Sequence, residues 1–121
     1  MDRINKYRQI VHQFLEDFAK NDAHAQLIFD IDRDRYLVMH NEWRDDYRIY
    51  GCAMQLDIIE GQIWIQHNST EIYIERELIK RDVSLQDIIF GFRSPSIRKL
   101  LANVKLKNNP HPPNLHVRYT F

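Results

Sequence analysis

A long alternating segment near the middle of the chain constrains the fold more than any other feature of the sequence. Between residues 47 and 58, apolar side chains recur at every second position, as in a β-strand whose side chains point alternately to two faces. The positions predicted to share one face are Tyr50, Cys52, Met54, Leu56 and Ile58. Glu60-Gly61 is typical of a tight turn, and QIWIQ at residues 62–66 supplies a returning strand. The segment therefore predicts a β-hairpin.

The residues before this hairpin predict a helix and a second hairpin. Apolar residues recur at three- and four-residue steps through residues 4–18, which is typical of an amphipathic helix, and Asp2 is a suitable N-cap. Alternating runs at residues 27–31 and 36–39 lie on either side of a charged turn at residues 32–34. Together these segments predict four consecutive antiparallel strands preceded by a helix.

Shorter elements follow. Thr70 is a candidate N-cap for a helix over residues 71–81, residues 88–92 form a short apolar run that favours a strand, and Ser94-Pro95 is a usual helix opening for residues 95–104. The sequence thus predicts one α+β domain over residues 1–104, with a twisted antiparallel sheet of about five strands packed against an N-terminal helix and two C-terminal helices. A proline-containing C-terminal arm over residues 105–121 is expected to be extended.

Charge is balanced overall but unevenly distributed. The chain has 17 basic and 17 acidic residues, so it has no general attraction to nucleic acid. From Ile88 onward, however, no acidic residue occurs. This basic segment either folds back on the acidic body, remains solvated, or contacts a partner or DNA. The candidate contact residues are Arg93, Arg98, Lys99, Lys105 and Lys107.

The sequence predicts no catalytic residue, cofactor or metal site. Asp30, Asp32 and Asp34 resemble the start of a calcium loop, but Arg35 stands where that loop needs glycine and Asn41 where it needs glutamate. We expect the three carboxylates to share one face and to pair with Arg33, Arg35 or Arg48. The six histidines have no metal-site spacing. Cys52 is interpreted as a small packing residue rather than a nucleophile.

Trp64 and Gln66 form the most distinctive candidate site in the strands. A tryptophan between amides could provide a stacking surface on the sheet, as in proteins that bind single-stranded nucleic acid. We favour burial of Trp64 against the first helix, with Ile63 or Ile65 facing the other way.

The chain is expected to be cytoplasmic. It has a single cysteine, its N-terminal residues are charged rather than apolar, and no apolar run reaches the roughly 20 residues of a membrane-spanning helix. No membrane contact is therefore predicted.

Several segments resemble the XisI family. The first hairpin of the family is similar to residues 26–43, QLIFDIDRDRYLVMHNEW. The family's Tyr-Gly-Cys strand, the turn after it and the Ile-Trp-Ile-Gln strand are similar to residues 50–71, YGCAMQLDIIEGQIWIQHNSTE. The Thr-Glu pair that follows in the family is Thr70 and Glu71 here. KYRQIV at 6–11 and DIIFGFRSPSIR at 87–98 also fit. One departure is Asn68-Ser69, where the family usually has Asp-Gly.

The resemblance implies a role in excision of a DNA element, alongside a companion protein of the XisH type. We therefore expect a non-enzymatic accessory or regulatory factor that acts by contact with an XisH-like partner. The alternatives are a direct DNA-binding factor that uses the basic segment 93–118 and a small metal-dependent enzyme that uses residues 30–34. A homo-oligomer, most simply a dimer, is also expected, because open sheet edges need protection and LHVRYTF at 115–121 could add a strand across a subunit boundary.

Overall fold

The structure is a computed structural model that describes residues 2–106, with only the backbone described for residues 103–106. Its helices are α1 (Arg3–Lys20), α2 (Ile74–Lys80) and α3 (Pro95–Leu106). Its strands are β1 (Ala25–Asp30), β2 (Arg35–Arg44), β3 (Tyr47–Ile59), β4 (Gln62–Asn68) and β5 (Ile88–Phe90). A short 3₁₀ turn, Leu85–Asp87, precedes β5.

All five strands form one sheet in the order β1-β2-β3-β4-β5. Neighbours from β1 to β4 are antiparallel, whereas β5 pairs in parallel with β4. The predicted α+β class and the four consecutive antiparallel strands are confirmed. The last strand differs in direction because the chain crosses back through α2 before it pairs, as a parallel connection requires.

Helix α1 covers one face of this sheet. The Asp2 carboxylate accepts a hydrogen bond from the Ile4 N–H at 2.7 Å, so the predicted N-cap is confirmed. One side of α1 is buried with the side chains of β2, β3 and β4 that point toward it. The fully buried residues of this core include Val11, Leu15, Tyr36, Val38, Met54, Leu56, Ile63 and Ile65. This helix-covered side of the sheet is called the covered face below.

Helix α2 begins later than predicted. The Asn68 side-chain oxygen accepts hydrogen bonds from the Thr70 N–H at 2.9 Å and the Thr70 hydroxyl at 2.7 Å, and Thr70 Oγ1 in turn accepts from the Ile72 N–H. Thr70 therefore stabilises the turn after β4 and does not cap a helix. Tyr73 is the N-cap residue, so the expected start at residue 71 is wrong.

An irregularity in β3 changes which residues share a face. Val38 pairs with Met54, but Met39 pairs with Cys52, so Ala53 is an extra residue that forms a β-bulge. Tyr50 and Cys52 consequently lie on the opposite face from Met54. The expectation that all five alternating residues share one face is wrong, because a bulge shifts the two-residue period by one position.

Strands β2 and β3 extend beyond their neighbours. β1 pairs with β2 only through residues 35–40, and β4 pairs with β3 only through residues 54–59. Residues 41–52 therefore form a two-stranded projection, called the hairpin arm below. Its tip is the two-residue turn Asp45-Asp46, in which Asp45 adopts a positive φ of 53°.

The C-terminal elements agree with the prediction in type. Helix α3 continues to Leu106, past the expected domain end at residue 104, and β5 ends at Phe90 rather than at residue 92. The remainder of the predicted C-terminal arm lies outside the described residues. Within residues 2–106, no helix is both long enough and apolar enough to cross a bilayer.

Candidate functional site

The side of β1, β2 and β3 opposite α1 carries no helix layer in the described part of the chain, and we call it the open face. Large apolar side chains on it are accessible: Ile28 is 51% exposed, Trp43 61% and Tyr50 60%. Three further open-face residues lie between them: Leu37, Met39 and Cys52. They are half-buried, because the side chains opposite them on the neighbouring strands point to the same side of the sheet and cover part of their surface. Contiguous exposed apolar side chains of this kind mark interaction surfaces.

The hairpin arm contributes a stacked cluster to the open face. The guanidinium carbon of Arg48 lies 5.1 Å from the centre of the Trp43 ring and 5.4 Å from the centre of the Tyr50 ring. The arginine therefore holds two exposed aromatic rings in place by cation–π contact. Trp, Tyr and Arg are the residue types most enriched at the energetic centres of protein interfaces.

A buried carboxylate lies on the same side of the sheet, toward the other end of β3 from this cluster. Asp57 has a side chain only 5% exposed, and its oxygens accept hydrogen bonds from the Gln55 amide at 3.1 Å and the Gln66 amide at 3.1 Å. Arg35 Nε lies 3.5 Å from the same carboxylate. These donors offset the cost of removing a charge from water. Gln66, a predicted site residue, therefore positions a buried acid.

Trp64 lies on the same side of the sheet as Asp57, its cross-strand partner, while Ile63 and Ile65 are buried beneath α1. The predicted alternation is confirmed, but the expected packing of Trp64 against the first helix is wrong. The half-buried ring instead contacts Arg98 of α3, whose guanidinium carbon lies 5.4 Å from the ring centre.

Gly91 allows this close packing. A Cβ atom at residue 91 would collide with the Gln66 amide oxygen and come within 3.1 Å of Trp64 Cε3. The indole Nε1 is buried and has no hydrogen-bond partner among the described residues. The Trp64 and Gln66 pair is thus a packed support between the sheet and α3, and the accessible aromatic surface lies on the hairpin arm instead.

The basic residues predicted to contact a partner or DNA have different surroundings. Arg98 donates a hydrogen bond to the Arg93 carbonyl at 2.6 Å in addition to stacking on Trp64, and the Arg93 guanidinium lies over the Phe92 ring. Lys99 is exposed on α3. The side chain of Lys105 and the whole of Lys107 lie outside the described residues. Glu71 is exposed next to the Thr70 turn.

The carboxylates at residues 30–34 do not converge. Asp30 forms an ion pair with Arg33 of its own turn at 3.2 Å, and Asp32 is exposed. Asp34 accepts two hydrogen bonds from Arg8, one from Nε at 2.8 Å and one from Nη2 at 2.9 Å. The expected pairing is confirmed for Asp30, which pairs with Arg33, whereas Asp34 pairs with Arg8 of the first helix instead. The expected common face is wrong. Among the described residues no group of three or more His, Cys, Asp or Glu side chains has a geometry suited to a metal ion.

Asp34 joins the sheet to α1. Its bonds from Arg8, and a further one from the Tyr36 hydroxyl, hold the pKa of the Asp34 carboxyl below its usual value. Burial, together with the bond to Asp34, raises the pKa of Tyr36. Burial likewise raises the pKa of the Cys52 thiol, which is consistent with a packing role.

Comparison with known proteins agrees with the resemblance seen in the sequence. The family model described as XisI protein matches residues 1–103. The chain belongs to the XisI family. One crystal structure, of a XisI-like protein from Anabaena variabilis ATCC 29413, is 33% identical, with a TM-score of 0.75 over 80% of this chain and 94% of that one.

A second crystal structure from the same organism extends the comparison. It is described as the fdxN element excision controlling factor XisI and is 29% identical, with a TM-score of 0.70 over 80% of this chain and 99% of that one. No curated protein matches the chain. The XisI family thereby connects this fold with control of element excision.

Sequence reasoning missed most of the accessible site. Trp43 and Arg48 were not singled out, because an isolated tryptophan or arginine in a strand has no distinctive spacing. The available signal was the length of the alternating run before residue 54, which exceeds what the neighbouring strands can pair.

Proposed function

We propose that this protein is a non-enzymatic, cytoplasmic regulatory factor of DNA-element excision that acts by binding an XisH-like protein through its open face. Membership of the XisI family supports the role in excision control. The observation that carries the mode of action is the exposed cluster of Trp43, Arg48 and Tyr50, continued across the sheet by Ile28.

The composition of this surface favours a protein over a nucleic acid. Phosphate binding is driven by a surface excess of cationic groups. Arg48 is exposed but lies against two aromatic rings, and the tip of the arm beside it carries the exposed acids Asp45 and Asp46. Arg98 is likewise engaged with Trp64 and a backbone carbonyl. Aromatic and aliphatic side chains with a rigid arginine are suited to desolvation against another protein.

Copurification tests the proposal. An XisH-like protein would be co-expressed with wild type and with Ile28→Glu, which places a charge in the open face. We expect wild type to form a stable complex and Ile28→Glu to weaken it by at least about tenfold, since a desolvated unpaired charge costs more than 1.4 kcal/mol.

Leu27→Glu is the matched control, because Leu27 is the preceding residue, is 36% exposed and points to the other side of the sheet. Equal loss of the complex in both variants would contradict the open face as the binding surface. Absence of any complex with wild type would contradict the partner itself.

A further inference from the structure

The outer backbone edge of β3 in the hairpin arm is a further accessible surface, and it borders the open face that carries the side chains of Arg48 and Tyr50. Strand β4 pairs with β3 only as far as Met54, so residues 47–52 have no neighbouring strand on that side within the described residues. An edge that exposes backbone donors and acceptors is a template for another strand.

The hydrogen-bonding pattern identifies the groups on this edge. Arg44 and Tyr47 close the two-residue turn, so Tyr47, Ile49 and Gly51 direct their N–H and C=O groups toward β2. The alternate residues Arg48, Tyr50 and Cys52 direct theirs outward. The Ser69 hydroxyl, which donates to the Cys52 carbonyl from the β4 side at 3.3 Å, is consistent with this assignment.

We propose that a second copy of this chain pairs with this edge in an antiparallel, two-fold arrangement centred on Ile49. Arg48 of each copy then lies opposite Tyr50 of the other, and their outward N–H and C=O groups bond reciprocally. Ile49 faces its own counterpart in a non-hydrogen-bonded pair. This inference goes beyond the proposed function and does not depend on it.

The side chains of the segment are complementary to themselves in this register. Arg48 meets the ring of Tyr50, a cation–π pair that continues the stacking within each arm. Tyr47, which is 75% exposed, lies opposite Gly51, where an aromatic ring covers the bare backbone of the glycine. Ile49 supplies an apolar contact on the axis. Every residue from 47 to 51 thus gains a suitable neighbour.

The adjacent registers are less favourable. Centring the axis on Arg48 places like charges directly opposite each other. Centring it on Tyr50 places Tyr47 opposite Ala53, whose carbonyl already accepts the Ser69 N–H at 2.9 Å. Registers shifted by one residue oppose outward groups to inward ones and form no ladder. Ile49 is therefore the centre that the edge allows.

Charge exchange tests the register in the full chain. Light scattering of wild type should give twice the 14.7 kDa chain mass at high concentration. Tyr50→Lys places a lysine opposite Arg48 and should give a monomer, whereas the double variant Arg48→Glu with Tyr50→Lys restores opposite charges and should recover the dimer. A monomeric wild type, or a dimer unaffected by Tyr50→Lys, would overturn the proposal.

Disulfide trapping gives an independent measurement. In a Cys52→Ala background, Ile49→Cys places two thiols on the axis, where non-hydrogen-bonded partners have Cα atoms about 4.5 Å apart, within the range for a disulfide. Mild oxidation should link this variant into dimers. Arg44→Cys, which is exposed on the opposite strand of the same arm, is the matched control and should remain unlinked. Equal linkage of the two variants, or none in Ile49→Cys, would contradict the arrangement.

Discussion

The two faces of the sheet are formed by the same strands but are stabilised in different ways. On the covered face, Tyr36, Val38 and Leu56 are fully buried beneath α1. On the open face, Ile28 and Tyr50 are more than half exposed, and order depends on stacking around Arg48 and on the Asp57 hydrogen bonds. The covered face therefore supplies most of the folding free energy, which leaves the open face available for recognition.

The largest expected difference concerns aliphatic truncation on the two faces. Ile65→Ala removes a side chain that is 1% exposed and should lower the free energy of unfolding by about 2–5 kcal/mol through lost burial and a cavity. Ile28→Ala, at 51% exposure, should lower it by less than about 1 kcal/mol. Urea denaturation measures both. Similar losses would show that the open face is also buried, as it would be in a tight assembly.

A pH-dependent difference should follow from the Arg8–Asp34 contact on the covered side. Because Arg8 lowers the folded-state pKa of Asp34, this contact stabilises the fold fully above the unfolded pKa of about 4 and loses its effect as pH falls through the folded pKa. Asp34→Asn, which tolerates the positive φ of 55°, should be less stable than wild type near pH 7, and the gap should narrow toward pH 3. A constant gap in urea titrations at both pH values would contradict this electrostatic account.

A smaller effect distinguishes the two tryptophans. Trp43 is 61% exposed on the arm, whereas Trp64 is half-buried under Arg98. Trp64→Phe leaves only Trp43 and should emit at longer wavelength, with stronger iodide quenching, than Trp43→Phe, which leaves only Trp64. The reverse order would indicate that the arm folds against protein surface.

The smallest expected effect is DNA binding by the isolated protein. With zero net charge and with Arg93 and Arg98 in contact with protein groups, we expect only weak binding that is lost before 150 mM salt. Mobility-shift titrations of wild type and Lys99→Ala provide the comparison. Specific binding at that salt concentration would favour the basic segment as a direct DNA contact over the open face as a protein contact.

The sequence predicted the order and type of the elements well, since periodicity reports which side chains must be buried. Three features depended on tertiary contacts. The bulge at Ala53 is invisible to a two-residue period that resumes on both sides of it. Thr70 has the residue type and position of a helix cap, and no local pattern shows that its hydroxyl bonds to the Asn68 side chain instead. The direction of β5 was set by its connection through α2 rather than by its own residues.

The candidate site was predicted less well, for a related reason. The predicted strand that carries Trp64 and Gln66 is confirmed, but the surroundings of these two residues come from α3 and Gly91, which lie far along the chain. Trp43 and Tyr50 are accessible because the neighbouring strands end early. Strand length relative to its neighbours is a property of the assembled sheet, and in the sequence only the length of the alternating run before residue 54 reports on it.

The long-range bonds of α1 also bear on synthesis by the ribosome. Three side chains of α1 form hydrogen bonds with residues far along the chain: Lys6 donates to Asp82, Tyr7 donates to Asp87, and Asp17 accepts from Arg81. The partners are 76, 80 and 64 residues apart in the sequence. The first helix to emerge therefore has none of these partners until Arg81 has left the exit tunnel, and it has all three only after Asp87 has left it. A nascent chain that has not yet exposed these residues cannot complete the contacts of α1, so chaperone engagement should persist until residue 87 has emerged.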